Sequence, residues 1–125
     1  MKTYRTLVMS LILALFTPIQ AAQASEPERI ATHGEWSAYT FKENGNEVCY
    51  MAAQPEKAEG DYTKRGEIFA LITHRPAEDV RDVFSYVTGY TYKQGSDVSV
   101  KIGDTTFTLF TQDDTAWAPD AKTDE

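Results

Sequence analysis

The chain holds one cysteine, Cys49, and two histidines, His33 and His74. A thiol beside an imidazole is the smallest set here able to do covalent chemistry, because the imidazole removes the thiol proton and the thiolate attacks. Cys49 with His74 is therefore the sharpest enzymatic or redox pairing the sequence offers. The local pattern argues against it. In the run Glu47–Ala53, "EVCYMAA", strand alternation puts Cys49 on a face with Trp36, Ala38 and Met51, where a thiol is ordinarily an inert packing group. His74, in "THRP", reads as a strand-end residue next to Pro76. No catalytic residue is assigned, and the expected class is non-enzymatic, with a periplasmic enzyme or redox protein using Cys49 and His74 as the alternative.

Metal and cofactor chemistry find little support. No Cys-x-x-Cys, His-x-x-x-His or calcium-loop spacing occurs, and no glycine-rich phosphate loop. Asp113, Asp114, Asp120 and Asp124 read as a solvated acidic stretch. No cofactor and no metal site is expected. Seven tyrosines in 125 residues are the unusual feature. A tyrosine at a strand end or loop edge either closes the core with its hydroxyl in water or forms a recognition surface. Core-edge packing is the commoner role for tyrosines so placed; Tyr62, Tyr90 and Tyr92 are the candidate binding surface as the alternative to it.

These residues must be positioned by strands. Glu35 to Phe41 and Glu47 to Ala53 flank "KENGN", where Asn44-Gly45 fits a two-residue turn with both φ positive. That turn sets Phe41 opposite Val48, Tyr39 opposite Tyr50 and Ala38 opposite Met51. One face then carries Tyr39, Phe41, Val48 and Tyr50; the other carries Trp36, Ala38, Thr40, Cys49 and Met51. A second hairpin turns at Gly103-Asp104, with Val100 opposite Phe107 and Val98 opposite Leu109, apolar meeting apolar. "GEIFALIT", Gly66 to Thr73, reads as a buried central strand, and β-branched content favours a strand from Val83 to Thr88. Ser25 to Thr32 reads as a polar lead-in, and Pro55 to Arg65 as a charged loop. Five short strands at this spacing predict an all-β, antiparallel sandwich or barrel-like domain. Asp120 onward reads as the start of a C-terminal helix.

Residues 1–24 look like a secretory signal: Lys2 and Arg5, then the ten-residue apolar stretch Leu7 to Phe16, then Ala22-Gln23-Ala24 as the cleavage site. The stretch is half the roughly 20 residues that a bilayer-spanning helix needs, so no transmembrane span is expected once the signal is removed. The mature chain, 25–125, is then a single β-domain. Net charge is −7 with a pI near 4.8, and loss of Lys2 and Arg5 makes the mature chain more acidic. Nucleic acid and anionic lipid select basic surfaces, so neither is an expected partner.

Six segments in order carry a resemblance: "EW" at Glu35-Trp36, "CYMAAQP" at Cys49 to Pro55, "YTKRG" at Tyr62 to Gly66, "THRP" at Thr73 to Pro76, "SYVTGYTYKQGS" at Ser85 to Ser96, and "LFTQDDTAWAPDA" at Leu109 to Ala121. Together they resemble the invasion-associated locus B family of exported proteins from Gram-negative bacteria. The resemblance implies a β-domain in the periplasm, associated with the outer membrane, or secreted. It also implies a role in virulence and an envelope or host-surface macromolecule as partner. It brings no catalytic residues with it. Similar proteins continue through a helix, further strands and a second cysteine, so the fold is expected to be incomplete at the C-terminus. In an exported protein a lone thiol in a chain ending at a helix start is a disulfide candidate. Cys49 is accordingly expected to pair beyond Glu125, with a free, buried, inert thiol as the competing state.

Overall fold

In a computed structural model the chain is described at residue 21 and over residues 24–125. The signal read in residues 1–24 lies almost wholly outside the described residues. Eight strands follow: β1 (Glu28–His33), β2 (Trp36–Glu43), β3 (Asn46–Ala53), β4 (Phe69–Arg75), β5 (Val80–Val87), β6 (Asp97–Ile102), β7 (Thr105–Gln112) and β8 (Thr115–Trp117). They form one antiparallel sheet in the order β1-β2-β3-β4-β5-β8-β7-β6, and a short helix, α1 (Ala121–Asp124), follows β8. The all-β antiparallel class and the C-terminal helix start are both present, and the sheet does not close.

Both expected hairpins form in the expected register. Phe41 opposes Val48, Tyr39 opposes Tyr50 and Ala38 opposes Met51 across β2–β3. Asn44 and Gly45 both take positive φ, 51° and 80°, which matches the twist of the flanking strands. Val98 opposes Leu109 and Val100 opposes Phe107 across β6–β7. Two strands were not expected. β1 occupies most of the polar lead-in: an edge strand pairs on one side only, so polar side chains serve, and a register shift leaves Ile30 60% exposed. β8 is three residues long and is reached through an Asp113-Asp114 turn, with Asp113 at φ 53°. Aspartate tolerates that conformation better than most residues, but without a glycine the turn is hard to see. The strand expected from Val83 also begins earlier, at Val80.

The sheet is strongly curled. Trp36 on β2 and Ile102 on β6 sit on strands six positions apart in the sheet order, about 29 Å in a flat sheet with strands roughly 4.8 Å apart. Yet both line one cleft of about 310 Å³, together with Ile72, Phe84, Phe107 and Leu109. Strand twist has brought the two ends of the sheet to face each other across this concave side. Cross-strand pairing places Cys49 and Met51 on the same side. The opposite side carries Tyr39 stacked on Tyr50, ring centres 5.0 Å apart, with Phe41 edge-on to Tyr50 at 6.0 Å. Burial, then the neighbouring Tyr39, raises the Tyr50 hydroxyl above its ordinary pKa.

α1 completes the sheet where β8 falls short. On its β5 side β8 reaches only Ser85, Tyr86 and Val87, and the next β5 amide, Phe84 N–H, donates to Asp124 Oδ1 at 2.8 Å. The helix start is fixed by Asp120, whose carboxylate accepts from both the backbone N–H and the hydroxyl of Thr123. The buried apolar residues among those described are Val48, Ile68, Leu109 and Ala116, so the core is thin and backbone fit counts for more than side-chain volume.

One backbone contact shows this. Gly66 N–H donates to Gly89 O at 2.8 Å, and a Cβ on Gly89 would stand 2.5 Å from Gly66 O. Gly89 also holds φ +80°, and Gly95 holds φ +77° with nothing within 4 Å of its would-be Cβ. Gly95→Ala therefore meets only left-handed strain, about 1–2 kcal/mol, whereas Gly89→Ala adds a backbone collision. Urea unfolding is expected to show Gly89→Ala losing at least about 1 kcal/mol more than Gly95→Ala; equal losses would mean the Gly66–Gly89 contact is not a packing constraint.

Candidate functional site

The segment 88–96, which leaves β5, is pinned along its length. Thr88 N–H donates to Asp114 O at 3.0 Å and Tyr92 N–H to Asp113 O at 2.8 Å, while the Thr111 hydroxyl donates to Ser96 O at 2.6 Å. The Gly66–Gly89 contact brings the end of the 54–68 connection against this segment and sets Arg65 beside Thr88. Arg65 Nε donates to Thr88 O at 2.7 Å and Nη2 to Thr88 Oγ1 at 3.1 Å. Thr88 is only 2% exposed, so the arginine satisfies two acceptors that water does not reach.

Held this way, the guanidinium lies over two aromatic rings. Its carbon is 5.2 Å from the centre of the Tyr62 ring and 5.1 Å from that of Tyr90, each contact worth about 0.5–1 kcal/mol at a partly exposed site. Tyr90 and Tyr92 meet edge to face at 5.6 Å. Gly60 has no side chain to obstruct Tyr62: a Cβ there would come within 2.9 Å of the ring. Tyr62 and Tyr90 remain 41% and 44% exposed. Tyr92 is half-buried. Burial raises its hydroxyl pKa, the hydrogen bond from Thr88 lowers it, Tyr90 and Tyr86 raise it again, and Arg65 lowers it; the net direction is upward.

The three tyrosines singled out in the sequence thus gather in one place. Arg65 and Thr88, which hold them, were not singled out: Arg65 ends what reads as a charged loop, and the burial of Thr88 leaves no mark in the sequence. The usable signal is the pair of glycines, Gly66 directly after Arg65 and Gly89 directly before Tyr90. Two clefts flank the aromatic group. One, of about 300 Å³, is lined by Glu59, Gly60, Asp61, Tyr62, Arg65 and Tyr90. The other, of about 460 Å³, runs from Thr91 and Tyr92 past Lys93 and Gln94 to Thr111, Gln112 and Asp113.

Cys49 and His74 also come together, as directly opposed residues of β3 and β4. Their side chains are engaged elsewhere. Cys49 Sγ donates to Glu47 Oε1 at 3.6 Å, and the thiol is free and half-buried. His74 Nδ1 accepts from Asp82 N–H at 3.1 Å, which leaves the proton on Nε2, 3.7 Å from the Asp82 carboxylate. His74 thereby satisfies the backbone at the irregular start of β5, where Asp82 has φ 54°. Among the described residues no three His, Cys, Asp or Glu side chains gather as a metal site, and no helix is long and apolar enough to cross a membrane.

The fold and site define a class: an open antiparallel β-domain with an arginine-braced tyrosine patch at one margin. The family model for the invasion associated locus B (IalB) protein matches residues 36–125, and the chain belongs to that family. No curated protein and no solved structure shows a match.

If Arg65 braces the patch, Arg65→Ala should lower stability by about 2–3 kcal/mol in urea unfolding, from two lost cation–π contacts and two buried Thr88 acceptors left unpaired. Arg65→Lys, which lacks the fork, should recover less than half of that loss. A cost below about 0.5 kcal/mol for Arg65→Ala would put it among ordinary surface changes and remove the brace.

Proposed function

We propose that the protein is exported with processing after Ala24 and acts in the periplasm, at the outer membrane or outside the cell as a non-enzymatic domain. Its role is to bind a macromolecule of the envelope or of a host surface through Tyr62, Tyr90 and Tyr92. The observation that carries this reading is the exposure of two tyrosines whose positions are fixed from beneath by Arg65. Exposed aromatics are over-represented at recognition surfaces. A ring already held in place loses little freedom on binding, so more of its contact energy becomes affinity.

The enzymatic or redox reading has one observation in its favour, the pairing of Cys49 with His74 across β3–β4. A general base needs a free nitrogen within reach of the proton it takes. The acceptor nitrogen of His74 is instead occupied by the Asp82 amide, and the thiol is directed at Glu47. This favours the binding reading.

The test uses protein recovered from a cell envelope fraction, which should begin at Ser25. Its retention on immobilised envelope and host-membrane fractions is then measured. Tyr62→Ala with Tyr90→Ala should weaken retention at least about tenfold, as truncation of aromatic anchors does, while Cys49→Ser and His74→Ala leave it unchanged. Loss with His74→Ala in a folded protein, and none with the tyrosine changes, would reverse the assignment.

A further inference from the structure

We infer that the tyrosine patch and its two flanking clefts form a site for an uncharged oligosaccharide. The inference rests on the binding reading above and names its ligand class. Three features of the surface point the same way.

The first is charge. The two clefts bring Arg65 and Lys93 together with Glu59, Asp61 and Asp113, and Glu59 is itself paired with Lys57 at 2.9 Å. Bases and acids are interleaved rather than segregated. A polyanion such as nucleic acid or a sulfated glycan needs an excess of Lys and Arg, and a basic segment would meet Arg65 at the two rings. A neutral ligand meets neither obstacle.

The second is hydrogen-bonding character. Sugar hydroxyls donate and accept, so their sites need both kinds of partner close together. The carboxylates of Asp61 and Asp113 are acceptors only, as is that of Glu59, one oxygen of which is paired with Lys57 Nζ at 2.9 Å. Lys93 and the Arg65 N–H groups not engaged by Thr88 are donors only, and the Gln94 and Gln112 amides are both. An apolar small molecule, by contrast, prefers a pocket lined mainly by apolar side chains, which neither cleft is.

The third is the aromatic centre. A pyranose ring has an apolar C–H face that covers an aromatic ring without a charge requirement. Tyr62 and Tyr90 are exposed and held by Arg65; Tyr90 lines one cleft and Tyr92 the other, and their two rings meet edge to face with centres 5.6 Å apart. A chain of several sugars lying across Tyr90 would place successive hydroxyl groups in the cleft on either side. A single sugar would use only one of them.

The protein should be titrated by calorimetry with maltohexaose, cellohexaose and chitohexaose, with a heparin hexasaccharide and a proline-rich decapeptide as comparators. At least one neutral hexasaccharide is expected to bind more tightly than its own monosaccharide and both comparators. Tyr90→Ala should weaken that binding about tenfold, the equivalent of one lost aromatic contact. Tyr90→Phe, which keeps the ring, should stay within about threefold of the parent. Phe110→Ala removes an aromatic that is 46% exposed and lines neither cleft, and should change nothing. The inference is overturned if none of the three neutral sugars binds, if the heparin fragment or the peptide binds better, or if Tyr90→Ala and Phe110→Ala act alike. Loss of envelope retention in the tyrosine variants, with no sugar bound, would overturn the ligand class while leaving the binding surface standing.

Discussion

Thr88 offers its carbonyl and its hydroxyl to one guanidinium, and that pair of hydrogen bonds organises the margin of the sheet where the tyrosines lie. The arrangement has a sequence of causes. Gly66 and Gly89 let two backbones approach to hydrogen-bonding distance, where any Cβ on Gly89 would collide. That approach delivers Arg65 to a threonine almost fully removed from water. Buried acceptors without partners are costly, so the arginine is held inward by the need to satisfy them. Tyr62 and Tyr90 then each set a ring against it, with centres 5.2 and 5.1 Å from its carbon. The position of the exposed rings is thus a consequence of satisfying a strand end, because the guanidinium that pairs with Thr88 also contacts Tyr62 and Tyr90.

The rest of the described structure is a frame for this margin. One curled sheet brings β2 and β6 across from each other, with a short helix finishing the hydrogen bonding of β5 that β8 leaves incomplete. Polar residues that look chemically suggestive are mostly spent on this frame. His74 accepts from the Asp82 amide, Asp120 caps α1, and Asp124 closes onto Phe84. Each satisfies a backbone group at a place where regular pairing ends, a common fate for polar side chains near strand and helix ends.

How far the sequence foretells all this depends on how local the cause is. Asn44-Gly45 and Gly103-Asp104 announce their turns because positive φ selects particular residues, and once a turn is placed, alternation fixes the register of both hairpins. β1 is quieter, since an edge strand in "SEPERIAT" need not be apolar, and β8 is too short to show alternation at all. The tyrosines could be named by type and by their places at strand ends and loop edges, but their exposure could not, since core-edge packing is the commoner outcome there. Arg65 could not: its contact with Thr88 spans 23 residues of sequence and depends on two glycines meeting in space. Cys49 shows the converse, a residue conspicuous by type whose side chain is engaged with its strand neighbour Glu47.

The brace itself is open to direct observation through the Nε–H of Arg65 in a proton–nitrogen NMR spectrum. Held against Thr88 O on a guanidinium that contacts two tyrosine rings, this proton should give a separate signal. Ring currents should shift it away from the other arginines, exchange with water should be slow, and contacts to the ring protons of both Tyr62 and Tyr90 should appear. A signal merged with those of free arginine side chains, exchanging at their rate and lacking both ring contacts, would contradict the account.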